Sequence, residues 1–347
     1  MHFNVLELNK RLKKLESLLV STTDVNRRIE LSRDIRSLKV LINYVSGSKY
    51  IISTSEKNFD ESVLDKNNEL IEFFNRNVSK IYNSLYCYSL GFRLPWRIIR
   101  DTKMNDIEYI KLVESFLRTY DKDLFELYQF LKSSERIELN PKSYADSKDA
   151  IGLNIHLTSM NESFVLARWN NKLSTASVLP HELGHAFLMN GTTSTRGLVN
   201  KHGSIFFEAY SVFLEYIFFD YLRNTKYYKN AIREEYNKLD GFLALADYQY
   251  STILQLSDMT VHGDDLYTQD GKIANVYSAR LVLSNVLAMY FVDLYRNDKK
   301  KFKKKISSFF EMFGYASEEE LISYFNLKTI AEGSKHVVNN YMRTYRQ

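Results

Sequence analysis

The sequence predicts a mainly α-helical protein with one small antiparallel sheet. The 347 residues include only 12 glycines and 3 prolines, so tight turns are few and long helices are favoured. Hydrophobic residues make up 45% of the chain and aromatic residues 14%, which is enough for a large core. Alternation of apolar and polar residues, the pattern of a half-buried strand, is confined to 149–170. We expect a single unit over 1–347, with a helical front half over 1–140 and a second half over 141–347.

The front half is predicted to be a series of helices. An amphipathic helix over 3–20 is followed by Asp24, which can cap a second helix that reaches about Tyr44. These two helices form a predicted hairpin. Further helices are expected over about 60–90, 105–119 and 122–134, with a turn at 91–96. Their leucine and phenylalanine stripes indicate core packing and not contacts with a cofactor.

The sheet is predicted from two short stretches. In the first stretch, apolar residues alternate with polar ones at Ile151, Leu153, Ile155 and Leu157. The chain turns at 160–162 and returns over 164–169. An exposed edge strand here would let an extended peptide add as a further strand. His156 lies on the polar phase, and we interpret it as a surface residue.

The chemistry of the chain is concentrated in the pattern His181-Glu182-Leu183-Gly184-His185. Residues four apart share one face of a helix, so His181 and His185 can bind one metal ion. Glu182 would lie beside that ion and take a proton from a metal-bound water. Roughly one chain of this length in a hundred carries the pattern by chance, so a third ligand is needed. Pro180 implies that the helix either begins late, with Ser177 as its cap, or is kinked.

The next helix offers acidic candidates for that third ligand. Ser204 is a plausible N-cap, and Glu208, Ser211 and Glu215 follow at a spacing that places them on one face. A carboxylate among aromatic residues is costly to bury unless it binds a metal or pairs. Glu208 is therefore the predicted ligand, and Glu215 is predicted to accept a hydrogen bond from a ligand histidine. The alternatives are that these two acids exchange roles, or that they line a solvent-facing stripe.

These residues resemble the oligoendopeptidase F and thimet oligopeptidase family of zinc metallopeptidases. The matching stretches are 181–186, 207–211 with Glu215, 163–170 before the helix, and a helical lead-in from 116–121 to 136–139. The resemblance covers about 105–345. It implies a thermolysin-like (gluzincin) catalytic core in the second half, with one Zn²⁺ per chain, a deep substrate channel and cleavage of short peptides. The front half is short for the family, which leaves the length limit on substrates open.

The resemblance also implies donors to the oxyanion that forms during peptide hydrolysis. The family supplies histidine and tyrosine donors ahead of a late helix. His262 and Tyr267 stand in that region, and Tyr277 resembles a tyrosine that opens the late helix. These three join Glu182 as predicted catalytic residues. His202, in the loop between the two ligand helices, is interpreted as solvated.

Several features limit the compartment and the partners. The single cysteine, Cys87, rules out an internal disulfide framework and fits a reducing compartment. The N-terminal residues lack the apolar core of a signal peptide, and the longest apolar run, about 281–292, is too short to span a bilayer. A cytoplasmic protein with no membrane partner is expected. The lysine run at 299–305 is interpreted as a solvated helix start, so no nucleic-acid partner is expected.

The sequence thus predicts a zinc-dependent metalloendopeptidase that acts on short unstructured peptides. An aminopeptidase of the same class is one alternative, and it would need an acidic anchor for the free amine of the substrate. A non-catalytic helical binding protein with a structural zinc site is another, and it would need a fourth protein ligand. The sequence does not set the oligomeric state.

Overall fold

The computed structural model describes residues 3–46, 101–139, 152–191, 203–239, 241–242, 269–312, 316, 318–333, 335–337 and 339. The helix predicted over 60–90 and the turn predicted at 91–96 lie outside these residues. The described helices are α1 Val5–Ser21, α2 Val25–Ser46, α3 Asp106–Tyr120, α4 Lys122–Ser133, α5 Val178–Gly191, α6 Gly203–Leu222, α7 Gln269–Asn297, α8 Lys299–Met312 and α9 Glu318–Tyr324. The strands are β1 Ile137–Leu139, β2 Gly152–Leu157 and β3 Glu162–Ala167. The mainly helical fold class is therefore confirmed.

The chain divides into two compact units. The first contains the described residues of Met1–Glu56 and Asp101–Thr195, and the second contains those of Arg196–Gln347. The first unit thus combines α1 to α5 with the sheet. The second contains α6 to α9. The predicted division at residue 140 separates a helical front half from a half that carries the predicted catalytic residues. That division stays a prediction.

The predicted hairpin of the first two helices is present in the first unit. Asn4 caps α1, because its side chain accepts hydrogen bonds from the backbone of Leu6 and Glu7. Asp24 precedes α2 and accepts a hydrogen bond from the backbone N–H of Arg27 at 2.7 Å, as its capping role predicts. The two helices pack against each other and bury a cluster of leucines that continues onto the sheet.

The sheet has three strands in the order β1-β3-β2, and it is mixed. β2 and β3 pair antiparallel with Gly152 opposite Ala167, as predicted, and Asn161 turns the chain with a φ of 51°. β1 pairs parallel with β3, with Ile137 opposite Val165. The antiparallel pair expected over 149–170 is therefore confirmed, and β1 adds a parallel strand that the sequence did not predict. A three-residue strand that is buried throughout shows no alternation, so the sequence pattern did not reveal it.

Helix α5 packs on β2 and β3, so the sheet supports one side of the helix. The segment that leads into α5 is also anchored. The Tyr109 hydroxyl donates to the carbonyl oxygen of Ala176 at 3.1 Å, and its ring stacks on Trp169 with centroids 3.9 Å apart. The Trp169 indole N–H donates to Asp106 at 2.9 Å. These contacts fix the point at which α5 begins.

In the second unit, α6 and α7 pack along each other. Phe213 of α6 meets Phe291 and Tyr295 of α7 edge to face, and Phe302 of α8 packs on the same ring. The apolar run at about 281–292 is part of α7 and is largely buried. In the described part of the chain, no helix combines the length and apolar character needed to cross a bilayer.

Candidate metal centre

The His-Glu-x-x-His pattern lies on α5, as predicted. The helix begins at Val178, directly after Ser177, and the backbone N–H of His181 donates to the carbonyl oxygen of Ser177 at 3.0 Å. Pro180 is therefore the third helical residue. The first four N–H groups of a helix have no partner within it, so a missing N–H at this position removes no helical hydrogen bond. The late start places the proline where the helix tolerates it.

The imidazole rings of His181 and His185 lie next to each other on α5. Their Nε2 atoms lie 3.1 Å apart, and their rings meet edge to face with centroids 4.8 Å apart. Two nitrogens bound to one tetrahedral zinc at about 2.0–2.1 Å each would be separated by about 3.3–3.4 Å. Both side chains are half-buried, so the pair is shielded and still accessible.

Glu182 lies between the histidines in sequence and is buried, with 6% of its surface exposed. Its side chain packs against the backbone of Gly152, the first residue of β2. The carboxylate thus lies beside the first residue of β2. A buried carboxylate beside two imidazoles suits a group that exchanges protons with a reacting molecule.

The predicted acids of the second unit lie on α6. Glu208 is half-buried, Glu215 is buried, and Ser211 between them is fully buried. The Ser211 hydroxyl has no hydrogen-bond partner among the described residues. The solvent-facing stripe, one of the alternatives, does not agree with this burial. The helix begins at Gly203, so the prediction that Ser204 is its N-cap is wrong: Ser204 lies inside the helix.

Glu215 has a partner that the sequence did not reveal. Lys238 donates to its Oε1 atom at 2.7 Å, and both side chains are largely shielded from solvent. This pair agrees with the expectation that a carboxylate buried in this aromatic helix either binds a metal or pairs. The hydrogen bond that we predicted from a ligand histidine to Glu215 stays a prediction.

One potential ligand atom from each of His181, His185 and Glu208 lies within 4.8 Å of the other two. These are the two nitrogen donors and one carboxylate that the sequence singled out. Two imidazoles and a carboxylate form a donor set that suits Zn²⁺. The group has three members among the described residues, as a metal site with an open position requires.

The predicted oxyanion donors are only partly within the described residues. His262 and Tyr267 lie outside them, as does His202. Tyr277 lies on α7, which begins at Gln269, eight residues earlier. Its side chain is outside the described part of the structure, so the role of Tyr277 stays a prediction.

Two further predictions concern positions away from the candidate centre. The lysine run forms the start of α8, where Asp298 accepts a hydrogen bond from the backbone of Lys301 at 2.9 Å. Its side chains are mostly exposed, as expected for a solvated helix start.

The prediction that His156 lies on the surface is wrong. His156 is partly buried and forms a hydrogen bond with the Ser163 hydroxyl at 2.8 Å, and burial lowers its pKa although Asp34 opposes this.

Two residues that the sequence analysis did not single out contact predicted site residues. Gly152 contacts Glu182, and a glycine inside a strand pattern is a known sign of close backbone approach. The sequence therefore carries a local signal for this contact. Lys238 pairs with Glu215 across 23 residues of sequence, and no local pattern identifies such a partner.

The sequence matches no protein-family model and no curated protein. Solved structures do resemble it. A Bacillus anthracis structure assigned as an oligoendopeptidase F has a TM-score of 0.57 at 14% identity, over 92% of this chain and 62% of that one. PZ peptidase A, solved with an inhibitor, has a TM-score of 0.58 at 13% identity, over 97% and 71%. Another structure assigned as an oligoendopeptidase F has a TM-score of 0.52 at 13% identity, over 96% and 70%.

This chain therefore spans less than two thirds of the Bacillus anthracis protein. At such low identity, the likeness establishes the fold alone. The polypeptide has the fold of the oligoendopeptidase F type of peptidase.

Proposed function

We propose that this protein is a zinc-dependent metalloendopeptidase that hydrolyses peptide bonds in short unstructured peptides. The observation that carries the proposal is the 3.1 Å separation of the His181 and His185 Nε2 atoms on a helix that also holds buried Glu182. The likeness in fold to peptidases supports it. A single cysteine fits a reducing compartment, so the cytoplasm is the proposed location.

In this proposal His181, His185 and Glu208 hold the metal. Three protein ligands with an open position are typical of catalytic zinc, whereas structural zinc has four. Three such residues form the group in the described part of the chain, which favours the catalytic kind. A bound zinc ion would polarise the substrate carbonyl and lower the pKa of a water molecule.

Glu182 is the proposed general base. Its carboxylate takes a proton from the attacking water and then passes it to the amine that leaves when the peptide bond breaks. Burial suits this role, because a carboxylate shielded from solvent holds the proton between the two steps. His262, Tyr267 and Tyr277 are proposed as candidates to donate a hydrogen bond to the oxyanion.

The substrate is proposed to bind as an extended strand. β2 is at one edge of the sheet that the described strands form, so its outer backbone groups can pair with a peptide. β2 begins at Gly152, against Glu182. A peptide that adds along β2 would pass the general base, and only an unstructured segment can adopt this conformation.

The proposal is tested by cleavage of a mixed pool of unstructured peptides of varied length, with products identified by mass spectrometry. The wild-type protein, the chelator-treated protein and the Glu182→Gln variant are compared, and bound metal is quantified in each. Internal cuts by the wild type that disappear in Glu182→Gln, while zinc remains bound, are the expected result. The longest peptide cut gives the length limit.

Two other outcomes would replace the proposal. Cuts only at the amino terminus of each peptide would identify an aminopeptidase. One tightly bound zinc without any cleavage would indicate a structural metal site in a binding protein.

A further inference from the structure

The contact between Gly152 and Glu182 is close enough to constrain both residues. A Cβ atom added at position 152 would lie 2.7 Å from Cγ and 2.8 Å from Cδ of Glu182, and still closer to Oε1. Carbon atoms that are not bonded pack at about 3.5–4.0 Å. Every residue other than glycine at this position would therefore collide with the Glu182 side chain.

We propose that Gly152 is a positioning residue, whose lack of a side chain leaves the space in which the Glu182 carboxylate lies. This inference rests on the proposed function, in which Glu182 is the general base. A base is effective only within hydrogen-bond reach of the proton that it removes, and misplacement by about 1 Å can reduce a rate about 100-fold. Gly152 would thus act on the reaction through Glu182, without itself touching the reacting atoms.

The surroundings of this contact determine which group would move. Gly152 is held by the six-residue antiparallel register of β2 with β3, where it faces Ala167. Helix α5 packs on both strands, so the backbone of Glu182 is held as well. The rotatable side chain of Glu182 is the part that can shift. An alanine at position 152 should therefore displace the carboxylate while it leaves the strand and the helix in place.

Backbone strain does not explain the glycine. Gly152 does not have the positive φ that would demand glycine whatever the space around it. Crowding against Glu182 is the specific cost of a larger residue. This distinguishes Gly152 from a turn glycine, because the cost should vanish when the Glu182 side chain is shortened.

The first test is kinetic. In Gly152→Ala, kcat for peptide cleavage should fall about 10- to 100-fold with KM nearly unchanged and with zinc still bound. Two glycine variants are matched controls. Gly241→Ala adds a methyl group with no atom within 4 Å, and Gly333→Ala adds one 2.9 Å from Val286 in the second unit. Both controls should keep kcat per folded molecule, although Gly333→Ala should lower the unfolding temperature.

An unchanged kcat in Gly152→Ala would overturn the proposal. So would a rise in KM alone, because that result would assign Gly152 to substrate pairing along β2.

The second test does not depend on activity. The unfolding temperature is measured for the wild type, Gly152→Ala, Glu182→Ala and the double variant. Any decrease caused by Gly152→Ala should disappear in the Glu182→Ala background, since the colliding atoms are gone. An equal decrease in both backgrounds would overturn the contact. If Gly152→Ala alone fails to fold, the double variant should fold, and its failure to do so would contradict the proposal.

These two tests separate the inference from the proposed function. A wild type that cleaves no peptide would refute the peptidase proposal and with it the positioning role. The stability cycle would still decide whether Gly152 makes room for Glu182.

Discussion

The Nε2 atoms of His181 and His185 face each other at 3.1 Å across one turn of α5. Imidazole nitrogens must be free of protons to bind a metal ion, so metal binding here should be coupled to proton release. The two imidazoles are thus already arranged for a common ligand.

We expect zinc to stabilise the folded protein through this pair. A ligand that binds only the folded state adds about 2.7 kcal/mol of stability at 100 times its Kd. Zinc should therefore raise the unfolding temperature of the metal-depleted wild type, as measured by calorimetry. His185→Ala should show little increase, whereas the control His156→Gln should respond like the wild type. An equal zinc response in all three proteins would place the metal elsewhere.

Glu182→Gln should separate catalysis from metal binding. Glutamine has nearly the same shape as glutamate but cannot take a proton, so we expect kcat to fall about 100- to 10,000-fold. Zinc content, measured by metal analysis, should stay at one per chain. Loss of the zinc together with the activity would instead assign Glu182 a role in metal binding.

Glu208→Gln should weaken metal binding itself. The neutral amide oxygen is a poorer donor than a carboxylate, so the zinc Kd should rise by more than about 100-fold, beyond the effect of residues that only orient ligands. Competition with a chelator of known affinity measures this change. Glu215→Gln is the comparison variant, and a larger effect there would mean that the two acids exchange roles.

The pair of Lys238 and Glu215 should contribute to stability. Lys238→Met removes a hydrogen-bond donor from a buried carboxylate, which should lower the free energy of unfolding by about 1–3 kcal/mol. Urea denaturation measures this change. Zinc affinity should stay close to that of the wild type, since Lys238 pairs with Glu215 and not with a predicted ligand. A large drop in zinc affinity would show that Lys238 holds Glu215 in place for the metal.

His156 should make the stability depend on pH. Burial lowers its pKa below the ordinary value of 6.5, so the unfolded chain binds a proton at a higher pH than the folded protein does. Stability should therefore decrease as pH falls below about 6.5 and should be unaffected by this group above that value. Urea denaturation at pH 7.5 and pH 5 measures the difference. His156→Gln should lose less stability over this range than the wild type.

The local patterns of the sequence were sufficient for most of the described helices and for the grouping of His181, His185 and Glu208. Asp24 marks a helix start by its own capping chemistry, and a four-residue spacing places two histidines on one face. The features that the sequence did not predict depend on contacts between residues that are distant in sequence. β1 is a strand because it pairs with β3, and His156 is partly buried because of what packs around it. Lys238 contacts Glu215, 23 residues away in sequence, and Gly152 contacts Glu182, 30 residues away.

Pro180 has a consequence for the motion of α5. If the helix grew backwards by one residue, Pro180 would have to donate a hydrogen bond to the carbonyl oxygen of Ala176, which it cannot do because it has no N–H. Thermal fluctuations can unwind the first turn, but they cannot add one. The helix thus has a fixed upstream limit, so His181 stays at its start and cannot slide into the middle of a longer helix. An engineer who replaced Pro180 with alanine would remove this limit while leaving every proposed ligand unchanged.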